Sequence, residues 1–148
     1  SGCRSYRTVI AEWNVRVWMT RTEVMPDGLY DSTERQYVHA VVADGTLYMS
    51  GQVATDRDGA VVGEDIETQT RQAFENVGEI LDAAGADFGD VVKVTSYLVA
   101  IHDDYDGYKS AFAEFFDDPL PCHTMLGVAD LASEDFLVEL EVEVVPPE

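Results

Sequence analysis

The sequence predicts an α+β domain in which one sheet carries two helices on a single face. Three observations predict it. Val138, Leu140, Val142 and Val144 alternate with Glu139, Glu141 and Glu143, the period-two pattern of a half-buried strand. Two stretches repeat apolar residues at helical spacing between capping residues. The chain order reads β-β-α-β-α-β-β, which places both helices within reach of one sheet face and leaves the other face to be covered or to be polar.

The elements follow in order. Tyr37 to Ala43 reads as a strand, Asp44-Gly45 as a hairpin turn, and Thr46 to Gln52 as the returning strand. An Asp-Gly pair between two β-rich runs favours this turn because both positions need positive φ. Asp58-Gly59 marks a further turn. Asp65 to Ala84 reads as a helix, with Ile66, Ala73, Phe74, Val77, Ile80, Leu81 and Ala84 on one face. Asp65 suits its N-cap and Gly85 its left-handed C-terminus. Val91 to Leu98 is a strand. Asp103 or Asp104 is expected to cap a second helix bearing a Tyr105, Tyr108, Phe112, Phe115 stripe, with Pro119 and Pro121 ending it. Cys122 to Val128 and the alternating segment complete the sheet.

Length and charge narrow the function. The chain of 148 residues suits one domain with a real core. It carries 29 acidic against 9 basic residues, a net charge of -20. Such a surface repels phosphate backbones and anionic lipid, so neither nucleic acid nor membrane is an expected partner. It also repels itself, and molar salt screens that repulsion; a salt-rich, halophilic cytoplasm is the expected setting. No secretory signal pattern is read, since Arg16 and Arg21 interrupt any apolar stretch near the N-terminus. Cys3 and Cys122 have no paired spacing, which points to a reducing compartment without a zinc site.

Residues 1–24 hold four arginines, two glutamates and both tryptophans, a local charge of +2 against -22 for the remainder. Met25 reads as the natural start, with residues 1–24 a vector remnant or extended segment and residues 25–148 a single domain. The rival reading is an edge strand, Ala11 to Met19.

Candidate chemistry is sparse. Cys122 and His123 are neighbours on a strand, so they face opposite ways and do not form a nucleophile–base pair. Cys122 is expected in the core, and His123 toward a polar pocket or solvent. His39 and His102 lack metal-ligand spacing. Glu139 on its own reads as part of a solvated face.

Several segments resemble the RidA (YjgF/YER057c/UK114) family. They are Leu47-Tyr48-Met49-Ser50-Gly51-Gln52, Thr70-Arg71-Gln72-Ala73-Phe74-Glu75-Asn76-Val77 leading to Ala83-Ala84-Gly85, and Gly89-Asp90-Val91-Val92-Lys93-Val94-Thr95. The tail Pro121…Gly127-Val128-Ala129…Val138-Glu139-Leu140-Glu141 has the family spacing. The resemblance covers Tyr37 to Val145. It implies a chorismate-mutase-like fold and a homotrimer whose sheets form a central barrel-like assembly, with small-molecule pockets between subunits. It implies hydrolysis of reactive imines or enamines to ammonia and a carbonyl product, with no metal or organic cofactor. By position it makes Glu139 the residue that places the attacking water, Gly51 the close backbone approach, Ser50 a further substrate-binding residue, and Tyr37 the pocket tyrosine, contributed by a neighbouring subunit.

The chain departs from the family at two places. The family signature has arginine after Pro-Ala, where this chain has Pro121-Cys122-His123. Arginine grips a carboxylate with a bidentate fork, and histidine offers one hydrogen bond. Losing that charge-assisted pair costs about 2–5 kcal/mol of binding. Arg35, beside Gln36 where the family has Gly-Pro, is the cation available to replace it. His123 is expected to hydrogen-bond the substrate or its leaving nitrogen. The alternative is a non-catalytic metabolite-binding trimer using the same cleft; the acidic surface disfavours ribonuclease action.

Overall fold

A computed structural model describes residues 21–145. The edge strand considered over Ala11–Met19 lies outside the described residues. Six strands form one sheet in the order β1-β2-β3-β6-β4-β5. They are β1 (Thr22–Val24), β2 (Ala40–Ala43), β3 (Thr46–Met49), β4 (Val91–Leu98), β5 (Cys122–Gly127) and β6 (Val138–Val144). All pairings are antiparallel except β4 with β5. Helix α1 (Ile66–Ala84) joins β3 to β4, and helix α2 (Ile101–Phe112) joins β4 to β5.

The expected order is present, with β1 added at the edge. β1 pairs with β2, and Val24 is buried with the core. The sheet therefore begins before Met25.

Local chemistry explains the boundaries. Asp44 and Gly45 have φ of 49° and 78°, the geometry of the tight turn between β2 and β3. The Asp65 carboxylate accepts from the Thr68 N–H at 3.0 Å, capping α1. Gly85 closes α1 with φ of 73°, and the Ala86 N–H reaches Leu81 O at 2.9 Å. α2 differs from expectation. Its N-cap is Ala100, without a side-chain cap, and Asp103 and Asp104 lie inside the first turn. There their charge still favours the helix dipole. α2 ends at Phe112, ahead of both prolines, and Tyr105 is exposed. Phe115 and Phe116 follow the helix and close an aromatic cluster on Phe74 and Phe88.

The core lies between the sheet and the two helices. Val42, Leu47, Val94, Leu98, Leu140 and Val142 meet Phe74, Val77, Ile80 and Leu81, all fully or almost fully buried. Each such side chain contributes about 1.5–3 kcal/mol relative to exposure. The opposite sheet face is open in the single chain and carries Tyr48, Lys93, Thr95, Tyr97, Glu139 and Glu141. Among the described residues no helix is long and apolar enough to cross a membrane.

Candidate active site

Three segments converge at one end of the open face. The first follows β3, where Ser50-Gly51-Gln52 leaves the hairpin. The Gln52 N–H donates to Leu140 O, and the Leu140 N–H donates to Gln52 O, both at 2.8 Å. This reciprocal pair of hydrogen bonds draws Gly51 against β6. A Cβ built on Gly51 would lie 1.9 Å from Glu139 Oε1 and 3.0 Å from its Cγ. Glycine is thus what lets the Glu139 side chain lie on the backbone.

The second segment is the lead-in to β2. A 3-10 turn, Ser32–Arg35, ends at Gln36 in the left-handed region, with φ of 63°. That uncommon conformation redirects the chain at Tyr37. The Tyr37 hydroxyl is hydrogen-bonded to that of Tyr30. The Arg35 guanidinium sits 5.1 Å from the Tyr30 ring centroid.

Buried His39 ties these parts together. Its Nε2–H donates to Tyr30 O at 2.8 Å, and its ring meets Tyr30 and Tyr37 edge-on at 5.0 and 6.0 Å. The Gln52 amide donates to His39 Nδ1 at 3.4 Å and to Ser50 O at 3.1 Å. Ser50 Oγ donates to Val38 O at 2.6 Å.

The third segment is β6, which presents Glu139 from the sheet. Burial and neighbouring Glu141 hold its carboxyl above the usual range. Burial and the bond to Tyr30 push the Tyr37 hydroxyl well above the ordinary phenol value. Tyr97, cross-strand from Glu139, is raised by burial and by Glu141 and Glu139. The cluster therefore holds a carboxylate whose pKa is raised beside two phenols whose pKa values are also raised, a set suited to moving protons.

An open groove of about 600 Å³ adjoins this cluster, lined by Arg21, Glu23, Tyr37, Val38, Tyr48 and Ser50. Tyr37 and Ser50 belong to both groove and cluster. The volume suits a small molecule.

Of the six residues singled out in the sequence, five gather here: Arg35, Tyr37, Ser50, Gly51 and Glu139. His123 does not join them. It pairs with Val94 in register and faces the helices. Its Nε2 lies 3.1 Å from Ser96 Oγ and 3.0 Å from the Tyr108 hydroxyl, and its ring stacks on Phe112 at 4.5 Å and 4°. Burial, then Lys109 and Lys93, hold its pKa below the ordinary histidine value. Glu139 projects from the other sheet face.

The Cys122 expectation is corrected by the same register. Cys122 pairs with Lys93 and is exposed on the open face. The two neighbours do face opposite ways. It is the imidazole that the Tyr108–Phe112 stripe covers, because Ser96 and Tyr108 satisfy its nitrogen there.

Tyr30, His39 and Gln52 are site residues that the sequence reading did not assign. Gln52 stood in the quoted Ser-Gly-Gln segment. Tyr30 lies in an irregular lead-in with no periodic signal.

Comparison with known proteins agrees with this architecture. The family model described as Endoribonuclease L-PSP matches residues 31–145. A RutC family protein of Pyrococcus horikoshii is 38% identical over 106 residues, covering 71% of this chain and 82% of that protein. The human protein named 2-iminobutanoate/2-iminopropanoate deaminase is 38% identical over 96 residues, covering 64% of this chain and 69% of that protein. The crystal structure of RidA from an Antarctic Psychrobacter matches with a TM-score of 0.78 at 28% identity, covering 85% of this chain and 100% of that one. The chain belongs to the Endoribonuclease L-PSP family, the RidA (YjgF/YER057c/UK114) family that its motifs resemble.

Proposed function

We propose that this protein hydrolyses reactive imines or enamines, releasing ammonia and a carbonyl product. The observation that carries the reading is the Glu139 carboxylate laid on the Gly51 backbone beside the Tyr30–Tyr37 phenol pair, with its pKa raised. The name of the human relative, a deaminase of two 2-imino acids, supports the same chemistry.

The reaction asks little of the protein. A water oxygen bonds to the imine carbon, and the C=N electron pair moves to nitrogen. Glu139 orients that water and takes its proton. Glu139 returns that proton to the nitrogen, the carbinolamine hydroxyl then gives up its own proton to the nitrogen as the C=O bond forms and the C–N bond breaks, and ammonia leaves with a carbonyl compound behind. Positioning and charge stabilisation supply the rate. His123 is not among the reacting groups in this reading, because it faces the helix layer.

We further propose a homotrimer that covers the open sheet face. Its row of glutamates and exposed Tyr48 face outward in the single chain. The same row disfavours an RNA substrate, despite the family description.

The test supplies freshly generated short imines, with and without a carboxylate, to protein in molar KCl. Saturable release of ammonia and carbonyl product supports the proposal. Saturable binding without product would instead support a metabolite-binding trimer, a reading favoured by the displacement of His123 from the cluster.

A further inference from the structure

We propose that the substrate of this cleft is a cationic imine, an iminium without a carboxylate, whose charge is held at Glu139. The inference rests on the imine-handling reading above and specifies its substrate class.

The described residues include six cations, Arg21, Arg35, Arg57, Arg71, Lys93 and Lys109. Most are engaged elsewhere. Arg71 pairs with Glu114 at 2.7 Å, and Lys109 lies over the Phe112 ring on the helix layer. Lys93 donates to Thr124 Oγ1 at 2.5 Å, beside the row of Glu143 rather than that of Glu139. Arg21 lines the groove, where it lies 4.0 Å from Glu23. Arg57 is exposed in the loop after β3. Arg35 is exposed and stacked on Tyr30. The two ion pairs among the described residues leave Glu139 out. The described residues of a second copy pressed on this face would bring the same six cations and the same glutamates.

Around Glu139 stand groups that receive positive charge. Glu141 projects from the same face of β6. Tyr97 is directly cross-strand, and Tyr37 lies close enough to feel the Glu139 charge. Carboxylates flanked by aromatic rings favour an organic cation through Coulomb and quadrupole attraction together. A substrate carboxylate at the same place would meet two like charges. An iminium carbon is also the more electrophilic form. Balanced, the step is iminium plus water giving carbonyl compound plus ammonium, with no other reactant.

Two probes that differ by one group test this: 1-pyrroline and 1-pyrroline-2-carboxylate, titrated by calorimetry at near-neutral pH and a fixed KCl concentration. The expected result is that 1-pyrroline binds at least about tenfold more tightly. Glu139→Gln should erase that preference, Arg57→Ala, in the exposed loop after β3, should leave it, and rising KCl should weaken it in the wild type. Tighter binding of the carboxylate probe, lost in Arg35→Ala, would overturn the inference while leaving imine handling intact. Failure of both probes alongside measurable turnover of acyclic imines would also overturn the inference alone. Failure of both with no imine turnover would overturn the functional reading beneath it.

Discussion

Gly51→Ala is the substitution for which the structure dictates a consequence most directly. A new Cβ would stand 1.9 Å from Glu139 Oε1, 2.7 Å from Cδ and 3.0 Å from Cγ. Ordinary contact begins near 3.4 Å, so the carboxylate oxygen must retreat by about 1.5 Å. Because Cγ is also too close, rotating the carboxylate alone does not suffice. A misplacement on the order of 1 Å lowers catalysis about 100-fold. The fold should survive. Gly51 has no positive φ, and overpacking at about 1–3 kcal/mol is partly offset by a less flexible unfolded chain. We expect Gly51→Ala to lose about 100-fold in ammonia release from a freshly generated imine. Its thermal midpoint should fall by no more than about 6 °C. A variant that melts normally and turns over within about twofold of wild type would refute the claim that Glu139 must lie on this backbone.

Gly78→Ala in α1 should stabilise the protein by about 0.5–1 kcal/mol, read as a raised melting point. Its Cβ meets Phe88 only at 3.5 Å, an ordinary contact. His123 should make stability depend on pH. Its folded pKa lies below the unfolded 6.5, so the unfolded chain binds more protons, and stability falls as pH drops below about 6.5. In denaturant titrations at several pH values, His123→Gln should lack that component, and an unchanged slope would contradict the lowered imidazole pKa. Finally, the melting midpoint should rise from low to molar KCl, because a net charge of -20 is screened as the Debye length shrinks from about 10 to about 3 Å. A flat or falling midpoint would contradict this.

Much of this architecture was readable where local chemistry and tertiary packing agree. The Val138–Val144 alternation fixes both the strand and the face that Glu139 occupies. Asp44-Gly45 announces its turn because few other pairs accept two positive φ values. Asp65 and Gly85 bracket α1 because unpaired helix ends need those partners. Where the reading erred, a competing contact decides. The Cys122–His123 alternation was legible, but its phase was not. Hydrophobicity assigns the thiol to the core, whereas Ser96, Tyr108 and Phe112 accept the imidazole there. β1 has three residues, too few for a period-two signal. The site was half legible. Gly51 and Glu139 came from resemblance, and their contact depends on the Gln52–Leu140 bridge, a long-range pairing invisible to spacing. Tyr30 and His39 reach the site through a single irregular turn at Gln36, which no periodicity foretells.

In the proposed reaction the Glu139 carboxylate is the group that handles water. Ammonia release by wild type and Glu139→Gln, measured side by side on the same imine with melting curves for both, tests it most directly. The predicted result is a loss of at least about 100-fold in rate, with a melting point no lower than wild type, because burial already penalises the charged form. Turnover at the wild-type rate by the folded glutamine variant would contradict it.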